Sequence, residues 1–304
     1  MPSLKSSISW CTGTLNVSVG CDPVSAGCDH CYAAEIVGNA RYRFPAPFNQ
    51  VVVYPERLKH LRRMRPSVDA AGTTRPYLCF VNSMSDFWHD AIPEPVIHQA
   101  LDAFEACPLT VFQILTKRPI RARRILRARY GTSGVPSHIW IGVSVEDNRV
   151  AARLNILRDI KERTGGAMTA FVSVEPIVGP TDAIDFAGID WAIFGGESGP
   201  RARIMEYDWL KRGIDAAFLA GAAIWFKQFG LIQSNPLLNM APEVLNGRRA
   251  GIKARFQWLI DNGLELLGDE KGGATLDGKT WRELPMAWHR MVKAMNAGPE
   301  AALL

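Results

Sequence analysis

Six short and nearly continuous apolar runs recur along the chain, most of them about thirty residues apart, which is the size of one βαβ unit. Runs of this kind are typical of strands that are covered on both faces of a parallel sheet. In such a unit, a helix returns the chain to the start of the next strand. The runs begin at Leu78, Thr110, Ile139, Thr169, Trp191 and Ala223.

Amphipathic segments fill the intervals between these runs and predict helices. One of them follows Pro93, and proline is common at the start of a helix. Together with a first strand at 14–19, the pattern predicts an α/β fold, a partial (β/α) barrel of six or seven mostly parallel strands. A flat, doubly wound sheet would give the same pattern and stays open as an alternative. The predicted helices cover residues 94–106, 119–129, 148–163 and 208–220.

The last part of the chain differs in character from the part before it. Turn-forming residues are frequent there, and a glycine-rich segment at 271–281 precedes an amphipathic segment at 285–296. We therefore expect two parts. Residues 1–230 would form the barrel with an N-terminal cysteine loop, and residues 231–304 would form a C-terminal extension that packs on the barrel.

The composition allows a sizeable core, because 47% of the 304 residues are hydrophobic and 21% are charged. No apolar run reaches the length of a membrane span, and the first residues lack the apolar segment of a signal peptide. Cys79 and Cys107 lie in apolar surroundings and are expected to be free thiols. These features favour the reducing cytoplasm, where clustered cysteines indicate a metal site rather than disulfides.

Three further cysteines, Cys21, Cys28 and Cys31, follow the first predicted strand with the spacing C-x6-C-x2-C. Glycine and proline between them set turns that allow three thiolates to converge on one point, and three thiolates form a soft-metal site. A structural zinc would need a fourth ligand, from Cys11 or His30. A [4Fe–4S] cluster on three cysteines would instead keep one iron open. The spacing alone leaves both options open.

Polar residues stand at the carboxyl end of each predicted strand, where function collects in (β/α) barrels. Some of them suit turns or helix caps, but their recurrence predicts one pocket. Its mixed charges would be satisfied by a zwitterionic, partly cationic small molecule. The expected catalytic residues are Lys117, Glu146, Glu175, Glu197 and Lys227. The expected cofactor-binding residues are Asn82, Ser83, Ser85, Asp86, Ser144, Gly195, Gly196 and Gln228.

The chain resembles the radical S-adenosylmethionine (radical SAM) superfamily, in which a cysteine triplet follows the first strand of a partial β/α barrel. More specifically, it is similar to a phage-associated, three-cysteine family of radical SAM-like proteins. The first cysteine gap has six residues where the superfamily usually has three. The stretches that carry the resemblance are VGCDPVSAGCDHCYA, FVNSMSDFWHD, FQILTKRP, IGVSVE, SVEP, IDWAIFGGESGPRAR, WFKQFG and KGGATLDGKTW.

The resemblance implies that the three cysteines ligate a [4Fe–4S] cluster whose open iron chelates S-adenosylmethionine. It also implies that one-electron reduction cleaves S-adenosylmethionine to methionine and a 5′-deoxyadenosyl radical. An electron donor such as flavodoxin or ferredoxin would supply the electron. Many members carry a Gly-Gly-Glu-like stretch after the second strand that holds the methionine amine. Here residues 82–86 occupy that place, and the literal Gly195-Gly196-Glu197 comes several strands later, so the role is not transferred to it.

The formal net charge of +5 is compatible with a nucleic-acid partner. The arginine-rich segment 118–129 fits either a solvated outer helix or a phosphate-binding strip. With the phage association, this predicts an isomerase, lyase or transferase that rearranges, modifies or repairs a nucleobase or nucleic-acid-linked substrate, including phage DNA base hypermodification. Two alternatives stay open: a radical SAM enzyme for a small metabolite, and a non-catalytic zinc- or cluster-stabilised nucleic-acid-binding protein. We expect the cytoplasm (the host's, if phage-encoded) and no membrane partner.

Overall fold

The computed structural model describes residues 4–39, 44–236 and 272–297, together with 254, 257, 258 and 261. Its centre is a seven-stranded sheet in which every neighbouring pair of strands is parallel. The strands stand side by side in chain order, whereas the order in a doubly wound sheet reverses midway. The predicted partial (β/α) barrel is therefore confirmed, and the doubly wound alternative is wrong.

Besides the seven-stranded barrel sheet, the described residues form three short two-stranded sheets. The barrel order is β1-β6-β7-β8-β9-β10-β11, and antiparallel pairs form between β2 and β3, β4 and β5, and β12 and β13. In chain order the strands are β1 (Gly13–Leu15), β2 (Ser18–Val19), β3 (Val52–Val53), β4 (Ser67–Val68), β5 (Thr74–Arg75), β6 (Tyr77–Val81), β7 (Thr110–Thr116), β8 (Ile139–Ser144), β9 (Ala170–Val174), β10 (Trp191–Gly195), β11 (Ala223–Gln228), β12 (Thr275–Leu276) and β13 (Lys279–Thr280).

Helices connect most of the barrel strands, close to the predicted positions. Between β9 and β10, however, the described residues 175–190 form turns. A 3-10 helix (Pro55–Arg63) precedes β6. None of the helices in the described part of the chain combines the length and apolarity that a membrane crossing requires. The α-helices are α1 (Tyr32–Gly38), α2 (Glu94–Glu105), α3 (Pro119–Tyr130), α4 (Arg153–Arg163), α5 (Tyr207–Leu219) and α6 (Met286–Asn296).

Alternate side chains of each strand enter two separate cores. One set packs outward against the helices, as Phe112 and Ile141 do. The other set points into the barrel. Its aromatic rings fill the lower half of the interior, meaning the half near the amino ends of the strands. Trp191 lies among them, with its ring centroid 6.2 Å from that of Trp10 and 5.9 Å from that of Trp140. Burying each such side chain contributes about 1.5–3 kcal/mol. Because the lower interior is filled, a ligand site is left to the carboxyl ends of the strands.

The described part of the C-terminal extension packs on the barrel. The amide of Phe226 donates to the carbonyl of Trp281 at 3.1 Å, and the amide of Glu283 donates to the carbonyl of Ile224 at 2.9 Å. These bonds cover the free edge of β11. Trp288 of α6 then joins the aromatic core from below. The predicted boundary between the two parts at residue 231 stays a prediction.

Gly142 tests how tightly the barrel interior is packed. A Cβ atom there would lie 2.5 Å from the ring of Phe171, which is fully buried. We therefore expect Gly142→Ala to destabilise the fold by about 1–3 kcal/mol through overpacking, measured by thermal unfolding. Gly38 is the matched control, because a Cβ at that helical position meets no atom of the described residues within 4 Å. An unchanged melting temperature for Gly142→Ala would contradict the described packing.

Candidate functional site

The loop with Cys21, Cys28 and Cys31 starts at the carboxyl end of the first strands and is tied to the rim of the barrel. Gly20 donates its amide to the carbonyl of Met84 at 3.0 Å, and its own carbonyl accepts from the Ser85 hydroxyl at 2.7 Å. The position requires glycine because φ is +107° and a Cβ would lie 2.4 Å from the carbonyl oxygen of Gln50. The loop therefore begins from a fixed point.

The residues after β6 serve the same rim. Asn82, at φ +59°, accepts from the amide of Val17 at 2.9 Å and donates to the Ser18 hydroxyl at 2.8 Å. The carbonyl of Ser83 accepts from the hydroxyl of Tyr32, which follows the last cysteine of the loop. The predicted cofactor-binding groups Asn82, Ser83 and Ser85 thus all contact the chain itself at this edge.

Glu146 is a buried carboxylate that joins the loop to the barrel. Its side chain is 1% exposed. One oxygen accepts from the Ser25 hydroxyl at 2.9 Å and lies 2.7 Å from Lys117 Nζ, and the other lies 3.0 Å from Arg153 Nη1. Gly27 packs directly on this carboxylate, since a Cβ there would lie 2.4 Å from Glu146 Cγ.

Glu197 holds the other side of the loop. Its carboxylate binds Arg203 through two oxygens, at 2.6 and 2.9 Å, and lies 3.0 Å from His30 Nδ1. Arg203 also donates to the carbonyl of Ala26 at 2.8 Å and pairs with Asp29 at 3.1 Å. Burial raises the pKa of Glu197, but hydrogen bonds from Arg203 and His30 outweigh it, and the pKa lies below its ordinary value.

Two cations at the end of β7 reach the sulfur atoms of the loop. Arg118 Nη1 lies 3.3 Å from Cys21 Sγ, and Lys117 Nζ lies 3.8 Å from Cys28 Sγ. Burial raises the pKa of the Cys21 thiol, and the charge of Arg118 acts against that rise. Asp86 supports both cations, because it accepts from the amide of Lys117 at 2.9 Å and lies 3.6 Å from Arg118 Nη1.

The remaining predicted groups face the barrel interior or shape its wall. Lys227 Nζ lies 3.0 Å from Glu175 Oε1, and both residues continue the inward-facing side of their strands. Gly195 leaves space for the Glu175 carboxylate, because a Cβ at position 195 would lie 2.5 Å from Glu175 Oε1. Gly196 lies directly against the backbone of Phe229, because a Cβ at position 196 would lie 1.9 Å from the carbonyl oxygen of Phe229.

Ser144 and Gln228 contribute backbone atoms to this region. The carbonyl of Ser144 accepts from Arg153 at 2.8 Å, and the carbonyl of Gln228 accepts from the amide of Gly196 at 3.0 Å. The structure therefore brings all thirteen predicted site residues, eleven polar residues and two glycines, to one end of the barrel together with the three cysteines, whereas their chemical roles stay predictions.

Arginines are the part of the site that sequence reasoning missed. Arg118 belongs to a strand end that the sequence marks, so a signal existed for it. Arg153 and Arg203 lie in a helix and a loop, where an arginine that pairs with a buried carboxylate has the same sequence appearance as a solvated one. His89, which lies 3.0 Å from Asp22 in the cysteine loop, was missed for the same reason.

Within the described residues, no three His, Cys, Asp or Glu side chains form a group that could hold a metal ion. The two alternative fourth ligands for zinc have other neighbours. Cys11 Sγ lies 3.7 Å from the carbonyl oxygen of Ile8, and burial raises the pKa of this thiol to about 11. His30 uses Nδ1 toward Glu197, which leaves its Nε2 for a ligand.

Comparisons with known proteins identify the family of this chain. A family model described as "Protein of unknown function (DUF5131)" matches residues 5–285. The chain belongs to this family. No curated protein matches it. The match lends no support to the phage-associated family that the sequence resembles, which stays a prediction.

A solved structure described as "Spore photoproduct lyase complexed with dinucleoside spore photoproduct" is similar to the DUF5131 chain, with a TM-score of 0.43 and 15% sequence identity. The match covers 71% of this chain and 63% of that one. The chain thus spans less than two thirds of the length of that protein. A likeness of this degree establishes no shared activity.

Glu197→Gln tests whether the Glu197–Arg203 pair holds the cysteine loop. We expect the free energy of unfolding to fall by about 1–3 kcal/mol, because Arg203 would lose its buried carboxylate partner and keep only the exposed Asp29. A carboxyl with a lowered pKa stabilises the fold above its ordinary pKa of about 4.3, and this stabilisation is lost as the pH falls through the lowered pKa. The melting-temperature difference from the wild type should therefore be constant from about pH 6 to 8 and should narrow below about pH 4.

Glu162→Gln is the matched control for this measurement, since Glu162 is exposed on α4. It should leave the melting temperature within error at every pH. A Glu197→Gln difference that does not change with pH would show that the charge of Glu197 is not what stabilises the loop.

Proposed function

We propose that this chain is a radical SAM enzyme in which Cys21, Cys28 and Cys31 hold a [4Fe–4S] cluster at the mouth of the partial barrel. The observation that carries the proposal is the position of the loop. It lies across the carboxyl ends of the strands, with Arg118 3.3 Å from Cys21 Sγ and Lys117 3.8 Å from Cys28 Sγ. When bound, the cluster would supply the electron that cleaves S-adenosylmethionine to methionine and a 5′-deoxyadenosyl radical.

The donor set fits such a group. Three cysteines supply the thiolates that iron–sulfur clusters require. The thiolates carry negative charge, which is costly in a half-buried loop unless cations or hydrogen-bond donors compensate it. Arg118 and Lys117 provide this compensation, and Asp86 and Glu146 hold the two cations in place. Ligands of a cluster bind different iron atoms, so they need not converge as the ligands of a single ion do.

In this proposal most of the charged groups position the loop. Glu146 and Glu197 clamp it from opposite sides through Ser25, Arg153 and Arg203. Lys117 keeps its positive charge, because Glu146 and Cys28 raise its pKa against the effect of burial. The loop therefore does not depend on the ligand for its position, as expected of a preorganised site.

The Glu175–Lys227 pair is the part of the pocket that we propose meets the ligand. It lies on the inward side of β9 and β11, and both side chains retain some exposure. A carboxylate and an ammonium 3.0 Å apart present opposite charges to one ligand. A zwitterionic molecule such as S-adenosylmethionine, or a polar substrate, can bind both without leaving either charge unpaired.

For the substrate, we propose a nucleobase or a nucleic-acid-linked group that is rearranged, modified or repaired, with an electron donor such as flavodoxin or ferredoxin. The resemblance and the net charge of +5 support this class. Phage DNA base hypermodification is the finer form of the proposal, and a small metabolite is its alternative within the enzyme class. The cytoplasm, where thiols and clusters stay reduced, is the proposed location.

A closed zinc site is the second candidate, and one contact favours it. His30 directs Nδ1 to Glu197 at 3.0 Å, and metal-ligating histidines commonly bind a carboxylate in this way. Nε2 of His30 could then complete a site of three cysteines and one histidine. Such a protein would be a metal-stabilised binding module without SAM chemistry.

Metal analysis of the full chain separates these candidates. After anaerobic reconstitution, we expect about four irons and four sulfides per chain, and 5′-deoxyadenosine after addition of dithionite and S-adenosylmethionine. Cys21→Ser, Cys28→Ser and Cys31→Ser should each lose most of the iron and all of the 5′-deoxyadenosine.

Cys107→Ser is the matched control, because Cys107 follows α2 outside the loop and should keep both properties. His30→Ala should also keep the iron if the cluster proposal holds. One tightly bound zinc per chain that is lost in His30→Ala would instead establish the closed zinc site.

A further inference from the structure

The 3-10 helix Pro55–Arg63 has one apolar side and one strongly basic side. A 3-10 helix has three residues per turn, so every third residue shares a face. Leu58, Leu61 and Met64 follow this period and pack on the outward-facing core. Lys59 and Arg62 follow it on another face, and Arg63 and Arg65 lie beside them. We call Lys59, Arg62, Arg63 and Arg65 the basic strip, and all four residues are exposed.

None of the described residues forms an ion pair that would neutralise the basic strip. In the described part of the chain, no ion pair involves any of its four side chains. Glu56 is the acidic residue of the same helix, and it lies near its start. Burial and then the charges of Lys59, Arg63 and Arg62 lower the pKa of His60. Among the residues that the structure describes, the positive charge of this surface is therefore not compensated by an ion pair.

Helix α3, which the sequence marked as the basic segment, behaves in the opposite way. Its arginines pair with carboxylates of α2, α4 and the segment before α2. These partners neutralise most of its charge, so the phosphate-binding interpretation of this helix has little support. The pairs are Arg121 with Asp90, Arg123 with Asp159, Arg124 with Glu94, and Arg129 with Asp102 and Glu105.

The helix that carries the basic strip starts at the rim of the candidate site and runs along the outside of the barrel to the amino end of β7. At the helix start, the amide of Tyr54 donates to the carbonyl of Val17 at 2.7 Å, and Arg57 donates to the carbonyl of Asn16 at 2.9 Å. Both acceptors lie directly before the cysteine loop. At the far end, the carbonyl of Met64 accepts from Thr110, the first residue of β7. A long ligand that extends from the strip along the helix toward its start would thus reach the mouth of the barrel.

We propose that the basic strip binds the phosphate backbone of a nucleic acid. A row of exposed cations that form no ion pair with any described residue suits a polyanion, whose binding releases condensed counterions. A membrane surface fits less well, because the apolar residues of this helix face the core and would not insert into lipid. As an account of how substrate is held, the inference rests on the proposed function, but the binding itself does not require the cluster.

The test compares two fourfold variants of the full chain. The strip variant carries Lys59→Gln, Arg62→Gln, Arg63→Gln and Arg65→Gln. The control variant carries Arg124→Gln, Arg127→Gln, Arg163→Gln and Arg212→Gln, four exposed arginines on other faces. Both variants lose four positive charges, so their formal net charge is the same. Thermal unfolding confirms that each is folded before binding is measured.

Binding is measured by fluorescence anisotropy with a labelled DNA duplex of about 20 base pairs between 50 and 200 mM salt. For the strip variant we expect affinity at least tenfold below the wild type, and a slope of log K against log salt shallower by about 2–4, since each lost phosphate contact removes about 0.9. The control variant should stay within about threefold of the wild type.

Three results would overturn the inference: equal losses in both variants, no binding of the duplex by the wild type, or strip-dependent binding of phosphatidylserine vesicles or polyglutamate in preference to DNA. Iron content and 5′-deoxyadenosine are scored on the same preparations. A wild type that binds DNA through the strip but holds no iron therefore refutes the proposed function and leaves the inference standing. A wild type with a SAM-cleaving cluster and no strip-dependent binding does the reverse.

Discussion

The buried carboxylate of Glu146 is the contact on which the candidate site depends. It lies at the end of the central strand β8 and is 1% exposed, so its charge must be satisfied within the protein. Ser25 comes from the cysteine loop, Lys117 from the end of β7 and Arg153 from the start of α4. One ionised group therefore joins the loop, the neighbouring strand and the next helix. Loss of its charge would leave two half-buried cations, Lys117 and Arg153, without their carboxylate partner.

This arrangement divides the barrel into a packed lower half and a polar upper half. Aromatic rings around Trp191 fill the lower interior, and the extension closes the base with Trp288. At the upper end, Glu146 and Glu197 are committed to the loop, whereas Glu175 and Lys227 face the interior as a pair. The predicted pocket would therefore lie above the aromatic core, with the cysteine loop on one side of it. Two of the three sulfur atoms meet a cation, which suits thiolate ligands.

The sequence predicts the barrel well because its signals are local. Each strand is a compact apolar run, and each end is followed by polar residues, so the approximate number of strands and the end of the barrel that gathers the polar residues both follow. The order of the strands does not, because a doubly wound sheet would give the same pattern. The pairing of an arginine with a carboxylate, in contrast, depends on residues that are distant in the sequence. Arg153 and Arg203 bind carboxylates that the sequence also marks, but a single chain does not show which arginine reaches which acid. The two interpretations of segment 118–129 stayed open for the same reason, since its partners lie on neighbouring helices.

Electron paramagnetic resonance of the anaerobically reconstituted and reduced full chain tests the central claim most directly. If three cysteines hold a four-iron cluster with one open corner, the reduced protein should show a cluster signal whose g values shift when S-adenosylmethionine is added. A signal that is identical with and without S-adenosylmethionine would contradict the open corner. A colourless protein that retains one zinc ion would contradict the cluster itself.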